Sequence, residues 1–399
     1  MTSFSNKSIL LGVTGSIAAY KACDLASRLR EKGANVICAL TASACELVKP
    51  VSFEALTGNR AITEMFVPTG NQEISHIAIM QRVDLCLIAP ATANIIAKAA
   101  TGIGDDWLST ALLAARCPVL FAPAMNTHMY THAATQDNIA LLKKRGISFV
   151  GPASGRLACR DEGPGRFAEI SDILDACQIA LCTSKDLEGK RVLITSGANH
   201  EAIDPMRYLG NRSSGKMGRA LALEALCRGA SVTVVMGPSL VSPPSGAETV
   251  AVETAQEMHD AVMARAEKYD FIIGAAAVAD YRPETVQAQK LKRDDKEWSL
   301  RLIPNPDIIA AVASKKKPSQ RVVGFAAETD HMAESASEKL TNKDLDMIIA
   351  NQIGGPSCAI GADTENAVIL MKGCQPESFE EISKDHLAKV IFDRLMTIN

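Results

Sequence analysis

No apolar run in the sequence is long enough to cross a bilayer: the longest, Phe271 to Ala279, falls far short of the ~20 residues a spanning helix requires. Nor is there an excess of one charge. With 42 Lys and Arg against 45 Asp and Glu, the net charge is −3, so no overall basic field draws in nucleic acid or an anionic membrane. Any phosphate the chain holds must be gripped locally. The eleven cysteines include no CxxC pair. Such an odd, scattered set argues against a disulfide scaffold or a zinc site and for reduced thiols in the cytoplasm. The first residues, MTSFSNKSILLGV, lack a signal-peptide layout, because the apolar stretch runs into a glycine turn with no cleavage-like site. What the chain does have is core-forming material: 47% of its 399 residues are hydrophobic and 22% charged, a soluble globular balance with length enough for two domains.

Apolar, β-branched runs alternate with amphipathic stretches along the whole sequence. Strands are expected over 8–13, 35–40, 83–89, 119–122 and 147–150, with helical patterns over 17–32, 92–100 and 126–145. After a weak stretch the pattern resumes, with strands at 190–195, 231–235, 249–252, 271–275, 321–325, 347–350 and 367–371. Its helical patterns cover 216–228, 255–268 and 379–396. Strands separated by helices in this way predict parallel, doubly wound α/β sheets. The seam is expected near 181–187, dividing the chain into domains 1–184 and 185–399. The Gly/Pro/Ser-rich stretch 237–246 reads as a loop inside the second domain.

In the first half, the opening strand runs into Gly12-Val13-Thr14-Gly15-Ser16 and then a helix. Free N–H groups and the positive end of the helix dipole make such a turn a seat for a phosphate, although glycine βα turns also serve geometry alone. A second turn, Ala89-Pro90-Ala91-Thr92-Ala93-Asn94, falls at the carboxyl end of a strand, where open α/β sheets bind ligands. Thr92 there serves equally as an ordinary helix cap. Asn126, in Pro123-Ala124-Met125-Asn126, is either a helix N-cap or an amide aimed at a substrate carboxylate. His76 opens a helical pattern, a place where a lone His is more commonly structural than catalytic. Cys159 sits in a glycine-rich loop, ACRDEGPGR, suited to a proton donor on a lid.

Together and in this order, GVTGSIAAYK, the His, LIAPATANIIAK, PAMN and ACRDEGPGR resemble the flavin-dependent cysteine decarboxylases, phosphopantothenoylcysteine decarboxylase among them. The resemblance implies a flavodoxin-like domain holding FMN through Gly15, Ser16, Thr41, Ala91, Thr92 and Asn94. A carboxylate on a saturated carbon has no electron sink. Oxidising the substrate thiol to a thioaldehyde supplies one, and the flavin returns the electrons after CO2 leaves. By resemblance, Cys159 donates the proton, Asn126 holds the substrate carboxylate, and His76 acts as base or orienting group, completing a neighbouring subunit's site. Asp105 is a departure, replacing a neutral Asn in the glycine-rich flavin segment with a carboxylate expected to weaken flavin binding.

In the second half, Gly210-Asn211-Arg212-Ser213-Ser214-Gly215-Lys216-Met217 nearly spells a Walker A loop. It ends on Met217, which has no hydroxyl for Mg2+, and no strand signal immediately precedes it. A Ser/Gly turn leading into a helix nevertheless remains an anion nest. Gly274-Ala275-Ala276-Ala277-Val278-Ala279-Asp280 ends a strand on small residues and a carboxylate. Asp280 there suits a base, a ribose or Mg2+, or caps the next turn. The basic cluster Lys290-Leu291-Lys292-Arg293 is solvated charge by default, yet near a triphosphate one of its lysines neutralises developing charge. Lys339 and Lys343 are four apart, on one helical face.

SSGKMG, AAVADYRP, KLK, NPDI, GFAAE and the paired lysines resemble the phosphopantothenate–cysteine ligases. The resemblance implies a Rossmann-like domain using CTP with Mg2+ placed near Asp280. Gly274, Ala275, Ala276, Asp280, Lys290, Pro306, Asp307, Ile308, Ile309, Phe325, Lys339 and Lys343 are then the CTP contacts. Lys290 is expected to act in acyl-cytidylate formation and Asn211 on that intermediate. Ala198-Asn199-His200-Glu201 departs from a Pro-Thr-Arg-Glu-like run and removes an Arg from the substrate side. One chain with both halves reads as a bifunctional enzyme of coenzyme A biosynthesis, because the ligase product is the decarboxylase substrate. The partners implied are 4′-phosphopantothenate, L-cysteine and CTP, with no nucleic acid and no membrane. The implied assembly is a homo-oligomer of trimeric decarboxylase and dimeric ligase units, closing as a dodecamer. The alternatives are a flavoprotein peptidyl-cysteine decarboxylase and a non-catalytic flavin-binding regulatory subunit. A second nucleotide domain disfavours the first, and retention of His76, Asn126, Cys159, Asn211 and Lys290 together disfavours the second.

Overall fold

The computed structural model describes residues 4–66, 75–157, 160–292, 297–328, 332–353 and 361–398. The chain divides between Thr183 and Ser184 into two compact units, each described here by itself.

In the first unit, β1 (Ser8–Val13), β2 (Asn35–Leu40), β3 (Leu85–Ala91), β4 (Val119–Pro123) and β5 (Ser148–Phe149) form one parallel sheet in the order β2-β1-β3-β4-β5. All seven residues of β3 are buried, as a strand covered on both faces requires. One face packs Leu11, Leu25, Leu29 and Ile173 into a core, and the other packs Leu10, Ile88, Trp107 and Phe121. The helix Ala93–Thr101 starts on Thr92, whose side chain accepts from Ile95 N, and ends on Gly102 in the left-handed region at φ 76°. The helical pattern over 126–145 is two helices, Thr127–Thr131 and Ala133–Lys144, because His132 takes extended dihedrals and caps the second through its side chain. The expected glycine-rich loop around Cys159 is largely an antiparallel hairpin, β6 (Ala153–Arg156) and β7 (Glu162–Arg166). Cys159 itself lies outside the described residues.

The second unit contains β8 (Arg191–Ser196), a small hairpin of β9 (Glu201–Ala202) and β10 (Tyr208–Leu209), then β11 (Ser231–Met236), β12 (Glu248–Ala251) and β13 (Phe271–Gly274). A second hairpin, β14 (Tyr281–Pro283) and β15 (Leu302–Pro304), precedes β16 (Arg321–Glu328), β17 (Met347–Gln352), β18 (Thr364–Met371) and β19 (Glu377–Ser383). The main sheet runs β12-β11-β8-β13-β16-β17-β18-β19. Its first six strands are parallel in the doubly wound 3-2-1-4-5-6 order. The last two are antiparallel, a common addition at the edge of such sheets. A turn through Gly373, at φ 74°, joins them, and a connection that short permits only antiparallel pairing.

Two sequence expectations change here. The helical pattern over 379–396 is β19 followed by the helix Lys384–Leu395, started by Ser383, whose hydroxyl accepts from His386 N. A strand does precede Gly210, but β10 is two residues long and belongs to the small hairpin rather than the main sheet. No described helix is long and apolar enough to cross a membrane.

Candidate active sites

In parallel sheets of these orders, ligands sit beyond the carboxyl ends of the strands where the winding reverses. In the first unit that point lies between β1 and β3. Thr14 ties the two turns together, its hydroxyl donating to Pro90 O at 2.7 Å and accepting from Thr92 N at 3.1 Å. Gly15 is required there: a Cβ on it would lie 2.4 Å from Ser43 Cβ, in the short helix Ala42–Cys45 that follows β2. Ser16, Thr41 and Thr92 all prove to be N-caps, accepting from Ala18 N, Ala44 N and Ile95 N. Capping uses an oxygen lone pair and leaves each hydroxyl proton to donate, so the structural role and phosphate binding are compatible. Small residues at Gly15, Ala91 and Ala93, with exposed Asn94 beside them, fit a flavin phosphate and ring.

Asn126 takes the first of the two roles the sequence left open, the helix cap, and its amide meets a carboxylate of the chain itself. Its Oδ1 accepts from His128 N at 2.8 Å as a cap, while Nδ2 donates to Asp161 Oδ2 at 2.8 Å. The backbone behind it zips onto β7: Met125 N donates to Gly165 O at 3.0 Å. A Cβ on Gly165 would meet Met125 O. His76 is half-buried on the short helix Ser75–Met80, which packs on Trp107–Leu113 and is pinned by Trp107 Nε1 donating to Ser75 Oγ at 3.0 Å.

The extra carboxylate at Asp105 has a local counter-charge. Lys98 Nζ reaches Asp105 at 2.6 Å and Asp106 at 2.9 Å. The Lys98 hydrogen bond holds the Asp105 carboxyl below its ordinary range. Asp106 also caps the helix Trp107–Leu113 with Ser109 in a capping box.

In the second unit the switch point between β8 and β13 opens into a cavity of about 820 Å3. The helix Lys216–Cys227 starts on Gly215, in the left-handed region at φ 74°. Its first turn lies hard against β8, since a Cβ on Gly218 would stand 2.3 Å from Ser196 Oγ. Gly274 at the end of β13 gives the cavity its floor, where a Cβ would meet Ile309 at 2.4 Å. Gly274, Ala275, Ala276, Asp280, Pro306, Asp307, Ile308, Ile309, Phe325, Lys339, Lys343 and Asn211 all line the cavity. Lys290 is exposed and is not among the lining residues. Its neighbour Leu291 is anchored instead: Leu291 N donates to Asp204 Oδ2 at 3.2 Å, and Arg207 donates to Leu291 O at 2.9 Å. Arg293 lies outside the described residues.

Five cationic side chains, Arg212, Lys216, Lys339, Lys343 and Lys384, line this cavity against the carboxylates of Asp280, Asp307 and Glu365, an excess suited to a polyanion. Lys339 pairs with Glu328 at 2.6 Å and Lys343 with Asp307 at 2.8 Å. Asn211 Nδ2 donates to Val278 O at 2.8 Å. In the departing run, His200 stacks on Tyr208 with ring centroids 3.6 Å apart, and Glu201 accepts from Ala255 N. Asn199 is wholly buried, and its amide finds no hydrogen-bond partner among the described residues. Sequence reasoning missed Lys384, Glu365 and Asn305. Lys384 and Glu365 are brought to the cavity only by the register of β18 on β19. Among the described residues, no group of three or more His, Cys, Asp or Glu side chains is placed to hold a metal, so Mg2+ at Asp280 would have to draw its remaining ligands from a bound nucleotide.

Comparison with known proteins divides the chain in the same manner. Residues 2–181 match the Flavoprotein family and residues 187–398 the DNA/pantothenate metabolism flavoprotein C-terminal domain. Over 400 residues the chain is 42% identical to the coenzyme A biosynthesis bifunctional protein CoaBC of Vibrio vulnificus, covering 100% of this chain and 99% of that one. It is 44% identical over 383 residues to the protein of the same name from Bacillus subtilis, covering 95% and 94%. A crystal structure of the C-terminal domain of a CoaBC protein superposes at a TM-score of 0.46 with 37% identity, covering 53% of this chain and 96% of that one. The molecule is thus a two-unit α/β enzyme, a flavoprotein joined to a second doubly wound domain. It belongs to the family of bifunctional coenzyme A biosynthesis proteins.

Proposed function

We propose that the second unit joins L-cysteine to 4′-phosphopantothenate at the expense of CTP, and that the first unit decarboxylates the resulting 4′-phosphopantothenoylcysteine to 4′-phosphopantetheine. The observation that carries this reading is the pairing in one chain of a flavoprotein switch point with a cation-rich cavity at a second switch point.

In the ligase step the substrate carboxylate attacks the α-phosphorus of CTP, pyrophosphate leaves, and the cysteine amine then displaces CMP from the acyl carbon. Lys339, Lys343 and the helix N-terminus at Lys216 face the phosphates. Gly274 to Ala276 let the nucleotide approach the backbone, Asp280 would help hold Mg2+, which would supply charge neutralisation, and Asn211 contacts the acyl intermediate. Lys290, exposed outside the cavity lining on the loop that Asp204 anchors, would have to swing inward to reach the reacting phosphate.

In the decarboxylase step, bound FMN supplies reversible two-electron oxidation of the substrate thiol. Asn126 holds the departing carboxylate through Nδ2, exchanging Asp161 for substrate. Cys159 returns a proton to the carbon that has lost CO2, and His76 takes the thiol proton in the oxidative step. Ile17 and Tyr20, 65% and 63% exposed beside the flavin turn, favour a neighbouring copy covering this face in a homo-oligomer of trimeric decarboxylase and dimeric ligase units. The enzyme would work in the cytoplasm.

The test is to give the purified, FMN-supplemented protein phosphopantothenate, cysteine, Mg2+ and either CTP or ATP, and to follow products by mass spectrometry. CTP-dependent phosphopantetheine supports both halves. Accumulation of the amide without CO2 loss overturns the decarboxylase reading, and no pyrophosphate overturns the ligase reading.

A further inference from the structure

Lys384 and Glu365 form an ion pair at 2.8 Å on the wall of the second-unit cavity, and both residues are more than nine-tenths buried. The antiparallel pairing of β18 on β19 sets this pair, since Thr364 faces Ser383 and Glu365 faces Ile382 in register. Lys384 is also the first residue of the helix Lys384–Leu395, so its ammonium adds to the positive end of that helix. Only one oxygen of Glu365 is used. Oε2 takes the Lys384 hydrogen bond, whereas Oε1 is buried with no partner among the described residues. An orphaned carboxylate oxygen in a closed site costs free energy unless a donor fills it.

The same cavity is lined by Lys216 and Asn211. Lys216 is already engaged, donating to Gly361 O at 2.8 Å and to Asp363 at 2.7 Å. Both residues line the cavity, so a ligand that displaces the packing over the pair would meet an ammonium and an unpaired carboxylate oxygen side by side. That combination complements a small zwitterion: the lysine meets an α-carboxylate and the free oxygen meets an α-amine.

We propose that Lys384 and Glu365 form the amino-acid subsite of the ligase, with Lys384 binding the α-carboxylate of cysteine and Glu365 Oε1 accepting an N–H of its amine. This rests on the ligase reading above. Glu365 and Lys384 are here positioning residues for the second substrate. The pair contacts neither the nucleotide nor the acyl group, so its effect belongs to the amide-forming step.

The experiment compares wild-type protein with Glu365→Gln and with the double variant K384M/E365Q, which removes both charges together and strands neither in the interior. Pyrophosphate released from phosphopantothenate and CTP without cysteine counts the active molecules of each preparation, and amide formation is read relative to it. E365Q is expected to raise the KM for cysteine about tenfold with a smaller change in kcat, the loss of one charge-assisted hydrogen bond. In the double variant the preference for cysteine over cysteamine, which lacks the carboxylate, is expected to collapse. An unchanged cysteine KM in E365Q, or an unchanged preference in the double variant, overturns the subsite while leaving the ligase reading intact. Absence of pyrophosphate from the wild type overturns that reading, and the subsite with it.

Discussion

Asn126 donates from Nδ2 to Asp161 Oδ2 across 2.8 Å, joining the carboxyl end of β4 to the chain just beyond Cys159. Two segments far apart in sequence are thereby held to one place, with the amide proposed to receive the substrate carboxylate at the junction. Asn126→Asp would set two carboxylates against each other. Decarboxylation of phosphopantothenoylcysteine is expected to fall about 100-fold, the usual cost of misplacing reacting groups. Pyrophosphate release by the other unit should stay at the wild-type rate. CO2 evolution and pyrophosphate assays on one preparation check both.

Lys98 neutralises the Asp105 carboxylate close to the proposed flavin site. Lys98→Met leaves Asp105 and Asp106 uncompensated, and FMN affinity is expected to drop severalfold. Adding Asp105→Asn should restore most of it, a coupling that flavin titration of the two single variants and the double variant measures.

Gly218 lies where the helix Lys216–Cys227 crosses β8, so Gly218→Ala drives a methyl group into Ser196. The overpacking is expected to destabilise the second unit by about 1–3 kcal/mol and to lower CTP-dependent pyrophosphate release. Thermal melting with and without CTP reads both effects.

Burial pushes the Asp307 carboxyl up, but the Lys343 ion pair and the Ala310 N–H outweigh it and hold it below its ordinary 3.8. A depressed carboxylate stabilises the folded state above its unfolded pKa and loses that contribution as pH falls through the folded value. The Lys343–Asp307 link should therefore persist across the neutral range and fail only in acid. The acid limb of a pH–stability curve is expected to flatten in Asp307→Asn.

Burial pushes the Cys38 thiol up to about 12, and it raises the Cys86 and Cys177 thiols as well. Cys374 is exposed. Because the thiolate is the reactive form, brief alkylation of native protein at neutral pH should label Cys374 and spare those three, as peptide mapping would show.

Much of the scaffold was legible because parallel strands buried on both faces are continuous apolar runs that end at glycine turns. Ser8–Val13 and Asn35–Leu40 are strands over just the expected residues. The stretch 379–383 was misread because Phe379 and Ile382 are spaced three apart, a helical interval. Pairing with β18 overrides that local pattern, and Ser383 delays the helix by capping it.

By itself the sequence determined two α/β halves, the order of their turns, and the residue types waiting at the strand ends, since all of these are properties of neighbouring residues. Only the tertiary structure decided which of them meet. Asn126 finds Asp161 through a hairpin, while Lys290 stands outside the cavity with its loop moored to Asp204. Lys384 reaches Glu365 because two antiparallel strands come into register. Sequence spacing constrains neighbours along one element. A contact between elements depends on register and on which faces the core leaves free, and those are fixed only when the whole sheet closes.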